Sequence, residues 1–137
     1  MGGNSDINEG TQFAPRFDRD GLIPAIAQDA DTGEILMAAY MNAESLELTR
    51  KTGFAVYFSR SRKRLWKKGE QSGHMQRVDR ILVDCDQDCL VLKVRVDSGQ
   101  CHVGYQSCFY RALSPATGQL AVVAEKVFDP ADAYGEK

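Results

Sequence analysis

The run Val83-Asp84-Cys85-Asp86-Gln87-Asp88-Cys89 constrains this chain more than any other segment. Aspartate occupies every second position, and Cys85 and Cys89 stand on the alternate ones. Side chains alternate between faces along a strand, so an extended run puts Asp84, Asp86 and Asp88 on one side and the thiols on the other. Three carboxylates on one face repel one another unless a cation neutralises them. Oxygen ligands suit a hard ion, Mg2+ or Ca2+. The plainer alternative is a solvated acidic strand end.

Two more cysteines lie in Cys101-His102-Val103-Gly104-Tyr105-Gln106-Ser107-Cys108. Thiolates with a histidine nearby are what Zn2+ prefers. No Cys-x-x-Cys knuckle occurs, so the spacing matches neither a zinc finger nor a zinc ribbon. Four ligands usually close a structural site. Three cysteines and one open position make a catalytic site, in which a bound water ionises near pH ~7. The competing explanation is four small buried thiols. Read as a strand with two such faces, the segment holds two different metals close together.

The flanking sequence is that of a small, mainly β domain. Leu90, Leu92, Val94 and Val96 alternate with Val91, Lys93 and Arg95, the period of a strand. Further strands are expected at 22–27, 34–40, 55–59, 77–86 and 119–127, building twisted antiparallel sheets. Asn42 is a good N-cap for one short helix over 43–51, closed by Gly53. The chain of 137 residues suits one α+β domain over 17–128, between a loose tail at 1–16 and a polar tail at 129–137.

From Arg60 to Gly73 the chain is polar and basic, which argues for a long loop. Between Arg60 and Arg80 lie eight of the 17 lysines and arginines, against only Glu70 and Asp79. Trp66, the single tryptophan, sits among them. Such a loop suits phosphate groups and a stacked base, although a charged run is most often simply solvated. The formal charge of -2 offers no bulk attraction to nucleic acid or an anionic membrane. No apolar run reaches spanning length, and the N-terminus lacks the apolar core of a signal peptide. A cytoplasmic location is therefore expected, where cysteines serve as thiols or metal ligands rather than disulfides.

These blocks resemble the phosphoribosyl-AMP cyclohydrolase family of histidine biosynthesis. The resemblance is carried by Ser59-Arg60-Ser61-Arg62, by Leu65-Trp66-x-Lys68-Gly69-Glu70-x-Ser72-Gly73-His74, by Asp84-Cys85-Asp86-x-Asp88, and by Cys101-His102-x-Gly104-x-x-Ser107-Cys108-Phe109. It covers about Gly21 to Arg111. It implies an intertwined homodimer whose zinc sites draw cysteines from both subunits, with Cys85, Cys101 and Cys108 as zinc ligands. It implies Asp84, Asp86 and Asp88 as magnesium ligands. Cys89 departs from the family, where a small residue such as alanine is expected. The helical pyrophosphohydrolase unit fused to some relatives does not follow, so only the cyclohydrolase step is expected.

The implied reaction is hydrolysis of the N1–C6 bond of an adenine alkylated at N1 and N9, with zinc-bound hydroxide attacking C6. His102, beside Cys101, is the preferred proton-transfer group, and His74 the second. Arg60, Arg62, Arg64, Trp66, Lys68 and Ser72 are the expected substrate-binding residues. Two rivals differ in class. One is a zinc-stapled module that binds a nucleotide or RNA without catalysis. The other is a nucleobase deaminase, whose His/Cys-x-Glu and Pro-Cys-x-x-Cys signatures are both missing.

Overall fold

A computed structural model describes residues 8–70, 73–96 and 99–131. Strand β1 (Ile23–Asp29) alternates strictly between buried and half-buried residues. It turns through 30–34 into β2 (Ile35–Met41), its antiparallel partner, with Ile23 opposite Met41. The Asp29 carboxylate ties that turn by accepting from the N–H groups of Asp31 and Thr32 at 2.8 and 3.1 Å. Gly33 supplies a backbone φ of 81°.

Helix α1 (Ala43–Thr52) follows at once. Asn42 and Ser45 form a reciprocal capping box, and Gly53 closes the helix in the left-handed conformation at φ 79°. Thr49 faces inward and bonds across to the next strand, its Oγ1 accepting from Val56 N at 2.9 Å.

Strands β3 (Val56–Ser59) and β4 (Arg64–Lys67) pair antiparallel, Tyr57 opposite Trp66. The basic stretch expected as one long loop is therefore a hairpin for much of its length. Its tip turns tightly at Lys63, whose φ is 56°. The Tyr57–Trp66 pair, with ring centroids 5.6 Å apart, gives the hairpin an apolar face that charge counting overlooks.

Strands β5 (Arg77–Val83) and β6 (Leu90–Arg95) complete a four-stranded sheet in the order β2-β1-β6-β5. All its pairings are antiparallel except β1 with β6, which run parallel. Ile23, Ala25 and Ala27 of β1 and Leu90, Leu92 and Val94 of β6 are fully buried and centre the core. A last hairpin pairs β7 (Arg111–Leu113) with β8 (Leu120–Val122), shorter than the strand expected over 119–127. The chain is mainly β, with one complete helix among the described residues, as its sequence pattern indicated.

One correction bears on function. The segment 84–89 is not an extended, two-faced strand but the connection between β5 and β6, since Val83 already pairs with Leu90. Asp84 caps it: its Oδ1 accepts from the N–H groups of Asp88 and Cys89 at 2.9 and 3.1 Å. Gln87 takes a φ of 57°. Self-capping by aspartate competes with strand pairing, which is why period-two spacing misleads here. Residues 8–16, expected as part of a loose tail, are bonded to this turn. Arg16 N donates to Gln87 O at 2.7 Å, Ala14 N to Gln87 Oε1 at 2.7 Å, and Asn8 Nδ2 to Cys85 O at 2.8 Å.

Replacing Asn42 with alanine removes the side-chain acceptor of the Ser45 N–H and leaves only the backbone half of the capping box. We expect a loss of about 1 kcal/mol, read as a lower urea midpoint with an unchanged m-value.

Candidate active site

The segment from Gln100 to Cys108 folds back on itself. Gln100 N donates to Gln106 O at 3.1 Å, Cys101 N to Tyr105 O at 3.0 Å, and Gly104 N to Cys101 O at 3.0 Å. Gly104 has a φ of 111°, and a Cβ there would meet the Phe128 carbonyl oxygen at 2.6 Å. Only glycine fits that position. The loop is stitched to β2 by Ser107 Oγ donating to Ile35 O at 2.6 Å and Cys108 N to Leu36 O at 2.7 Å.

This folding brings the Cys101 and Cys108 thiols close enough to act on each other electrostatically. Cys101 is buried; Cys108 is exposed as a residue, but its sulfur faces Cys101 and the Lys68 ammonium. Burial, reinforced by Cys101, pushes the Cys108 thiol up to about 11. Lys68 ends the β3–β4 hairpin and, unlike the exposed Arg60, Arg62 and Arg64, is buried, with Nζ donating to Gln100 O at 2.7 Å. Desolvation lowers its pKa, while the nearby thiols act in the opposite direction.

Beneath the thiols runs a buried polar chain that sequence reading missed. Tyr57 OH donates to Gln76 Oε1 at 2.6 Å, and Gln76 Nε2 donates to Gln100 Oε1 at 3.0 Å. Tyr57 and Gln76 are completely buried, and burial drives the Tyr57 hydroxyl far above its ordinary range. The position of Gln100 directly before Cys101 was the one available hint. Nothing in local sequence marks Gln76.

The remaining expected site residues are dispersed. His102 is exposed beside Cys101. His74 is half-buried and meets the Phe128 ring edge-on at 4.7 Å. Arg60 lies over the Tyr40 ring at 4.1 Å, and Arg64 pairs with Glu70 at 3.7 Å. Trp66 is half-buried against the core. Ser72 lies outside the described residues. Cys85 is exposed in the β5–β6 turn. Cys108 is tied to edge strand β2, while Cys85 lies in the connection leaving the opposite edge strand β5, so the three thiols do not converge within one chain.

Among the described residues, no three of His, Cys, Asp and Glu converge as a metal-binding group. Asp84, Asp86 and Asp88 share the turn without sharing a strand face. The neighbouring Asp84 carboxyl raises Asp88, while hydrogen bonds from the backbone of Asp88, Cys89 and Gln87 hold Asp84 low against desolvation.

Comparison with known proteins places this arrangement. The phosphoribosyl-AMP cyclohydrolase family model matches residues 37–110. The chain belongs to the phosphoribosyl-AMP cyclohydrolase family, a family of hydrolases. It is 59% identical over 119 residues to phosphoribosyl-AMP cyclohydrolase of Methanococcoides burtonii, covering 87% of this chain and 94% of that protein. The protein of the same name from Nitrobacter hamburgensis is 51% identical over 137 residues, covering 97% and 93%. That from Caulobacter vibrioides is 61% identical over 110 residues, 79% of each chain. The matched segment contains the thiol pair, the basic hairpin, the acidic turn and both histidines.

Two outcomes follow. Tyr57→Phe leaves Gln76 Oε1 buried without its donor, and we expect a loss of about 1–3 kcal/mol in equilibrium unfolding. In metal-free protein the raised Cys108 pKa means the folded state holds its proton more tightly than the unfolded chain. That contribution is fully present below pH ~8.5 and is lost as pH rises towards about 11. Thermal melts of metal-free protein across that window, with Cys108→Ser as the control that flattens the trend, provide the check.

Proposed function

We propose that this chain opens the adenine ring of phosphoribosyl-AMP by hydrolysing its N1–C6 bond, a step of histidine biosynthesis. The observation that carries the reading is the meeting of the Cys101–Cys108 pair with the end of the basic β3–β4 hairpin, through Lys68 and Gln100, inside the segment that matches the family. A thiol pair alone would serve a structural staple. A cationic hairpin beside it gives a phosphorylated nucleotide somewhere to bind.

The donor chemistry fits zinc. Cys101 and Cys108 would be two ligands, and two juxtaposed thiols are a soft, chelating pair. The third, Cys85, lies across the sheet from them, so we take it from a second copy of the chain in a homodimer. The exposed apolar side chains of the last hairpin and its neighbours, Leu113, Leu120, Val122 and Val123, each at least 55% exposed, support association with another copy. Zinc on thiolate ligands supplies Lewis acidity that makes water nucleophilic near neutral pH.

The chain's own residues supply the rest. His102, exposed and adjacent to Cys101, would move a proton at the ring. His74 is the second candidate, packed edge-on against Phe128. Arg60, Arg62 and Arg64 face solvent and can receive the substrate's phosphates as charge-assisted donors. Asp84, Asp86 and Asp88 share one short turn, and the negative charge of the first two raises Asp88, so these residues would hold magnesium, whose charge relieves that repulsion.

The test is direct. Full-length protein loaded with zinc and magnesium should convert phosphoribosyl-AMP to a product that has gained one water and kept every nitrogen. Cys101→Ser should lose zinc by metal analysis and lose turnover by more than about 100-fold, beyond the usual effect of an outer-shell change. Zinc-loaded wild-type protein that leaves the substrate intact would favour a zinc-stapled binding module instead.

A further inference from the structure

Lys68 is buried in an unusual setting. The residue is 5% exposed. Its ammonium donates to one carbonyl, that of Gln100, and lies 5.8 Å from the Trp66 ring centroid. No carboxylate among the described residues is within ion-pair distance of it. The ionisable groups that face it are the thiols of Cys101 and Cys108. A buried cation without an anion is strongly disfavoured, so its retention here calls for one.

The ammonium is also held in place. Its acceptor belongs to Gln100, whose amide is bonded to Gln76, which is bonded in turn to Tyr57. Gln100 directly precedes Cys101. The hydrogen bond thus joins the end of the hairpin to the start of the thiol loop. On the reading proposed above, three thiolates around a divalent ion leave one net negative charge. That charge would develop on the two sulfurs that face Lys68.

We propose that Lys68 is a positioning residue for the thiolate centre: it offsets the net negative charge of the zinc-loaded site and pins the Cys101 loop through the Gln100 carbonyl, rather than binding substrate phosphate. This inference rests on the zinc reading. It gives Lys68 a role distinct from that of the exposed arginines of the same hairpin.

The experiment compares full-length wild type with Lys68→Met and Lys68→Gln. Zinc affinity is measured by chelator competition, and melting temperature on metal-free protein. Both variants should bind zinc about 10–100-fold more weakly, the usual effect of losing an outer-shell partner. The metal-free Lys68→Gln form, which keeps a donor for the Gln100 carbonyl, should melt no lower than wild type, because in metal-free wild type the cation is buried without its anion. Wild-type zinc affinity in Lys68→Met with a raised KM would return Lys68 to phosphate binding and overturn the proposal. Full affinity in Lys68→Gln alone would leave only the hydrogen bond and overturn the charge role. A metal-free Lys68→Gln form that melts well below wild type, or fails to fold, would make Lys68 a structural prop and also overturn it. Wild-type protein that takes up no zinc is a separate failure, which removes the zinc reading and this role with it.

Discussion

Parallel pairing of β1 with β6 is the constraint on which the rest of the structure depends. Parallel neighbours cannot be joined by a tight turn and need a long crossover. Here the crossover carries β2, helix α1, the basic hairpin and β5. The paired strands are locked by full burial of Ile23, Ala25, Ala27, Leu90, Leu92 and Val94. Each large apolar side chain among them contributes about 1.5–3 kcal/mol relative to exposure. A one-residue slip would turn these residues to the opposite face, so the register is strongly specified. With it are set the acidic turn before Leu90 and the edge of β2 to which the thiol loop is tied.

That division shapes the chemistry. The thiol pair lies at one edge of the sheet, while Cys85 and the aspartates lie in the connection from the other. On the proposed reading, a single chain thus presents two incomplete ligand sets, each facing outward in part. Both sets are braced by short hydrogen bonds to more distant segments. The acidic turn is held by residues 8–16 through Gln87, and the thiol loop by β2 and by residues 127 and 128. Loops braced by the fold in this way favour pre-organised binding.

The buried polar chain from Tyr57 through Gln76 to Gln100 gives the thiol loop its second support. Such groups are tolerated inside only when every member is satisfied, and here no buried side-chain polar atom among the described residues lacks a partner. The network links β3, the residue before β5 and the loop after β6. A change in any of these elements is therefore felt beside Cys101, although none of the three side chains is a metal ligand or a nucleophile.

Much of this was written locally in the sequence. Alternation in 90–96 marked β6, Asn42 and Gly53 bounded the helix, and the ordered blocks from Ser59 to Phe109 identified the family. These signals are local because capping, side-chain period and ligand type depend on near neighbours along the chain. The same local logic misread 84–89, where spacing suggested an extended strand but the Asp84 carboxylate closes a turn. It also grouped Lys68 with the exposed arginines, because charge along the chain does not tell which way a side chain points. Only the tertiary structure decided that Lys68 turns inward to Gln100, that Gln76 joins Tyr57 to the loop, and that Cys85 stands apart from Cys101 and Cys108. Those facts come from which strands lie side by side and in what register, contacts between residues far apart in sequence that no local pattern encodes.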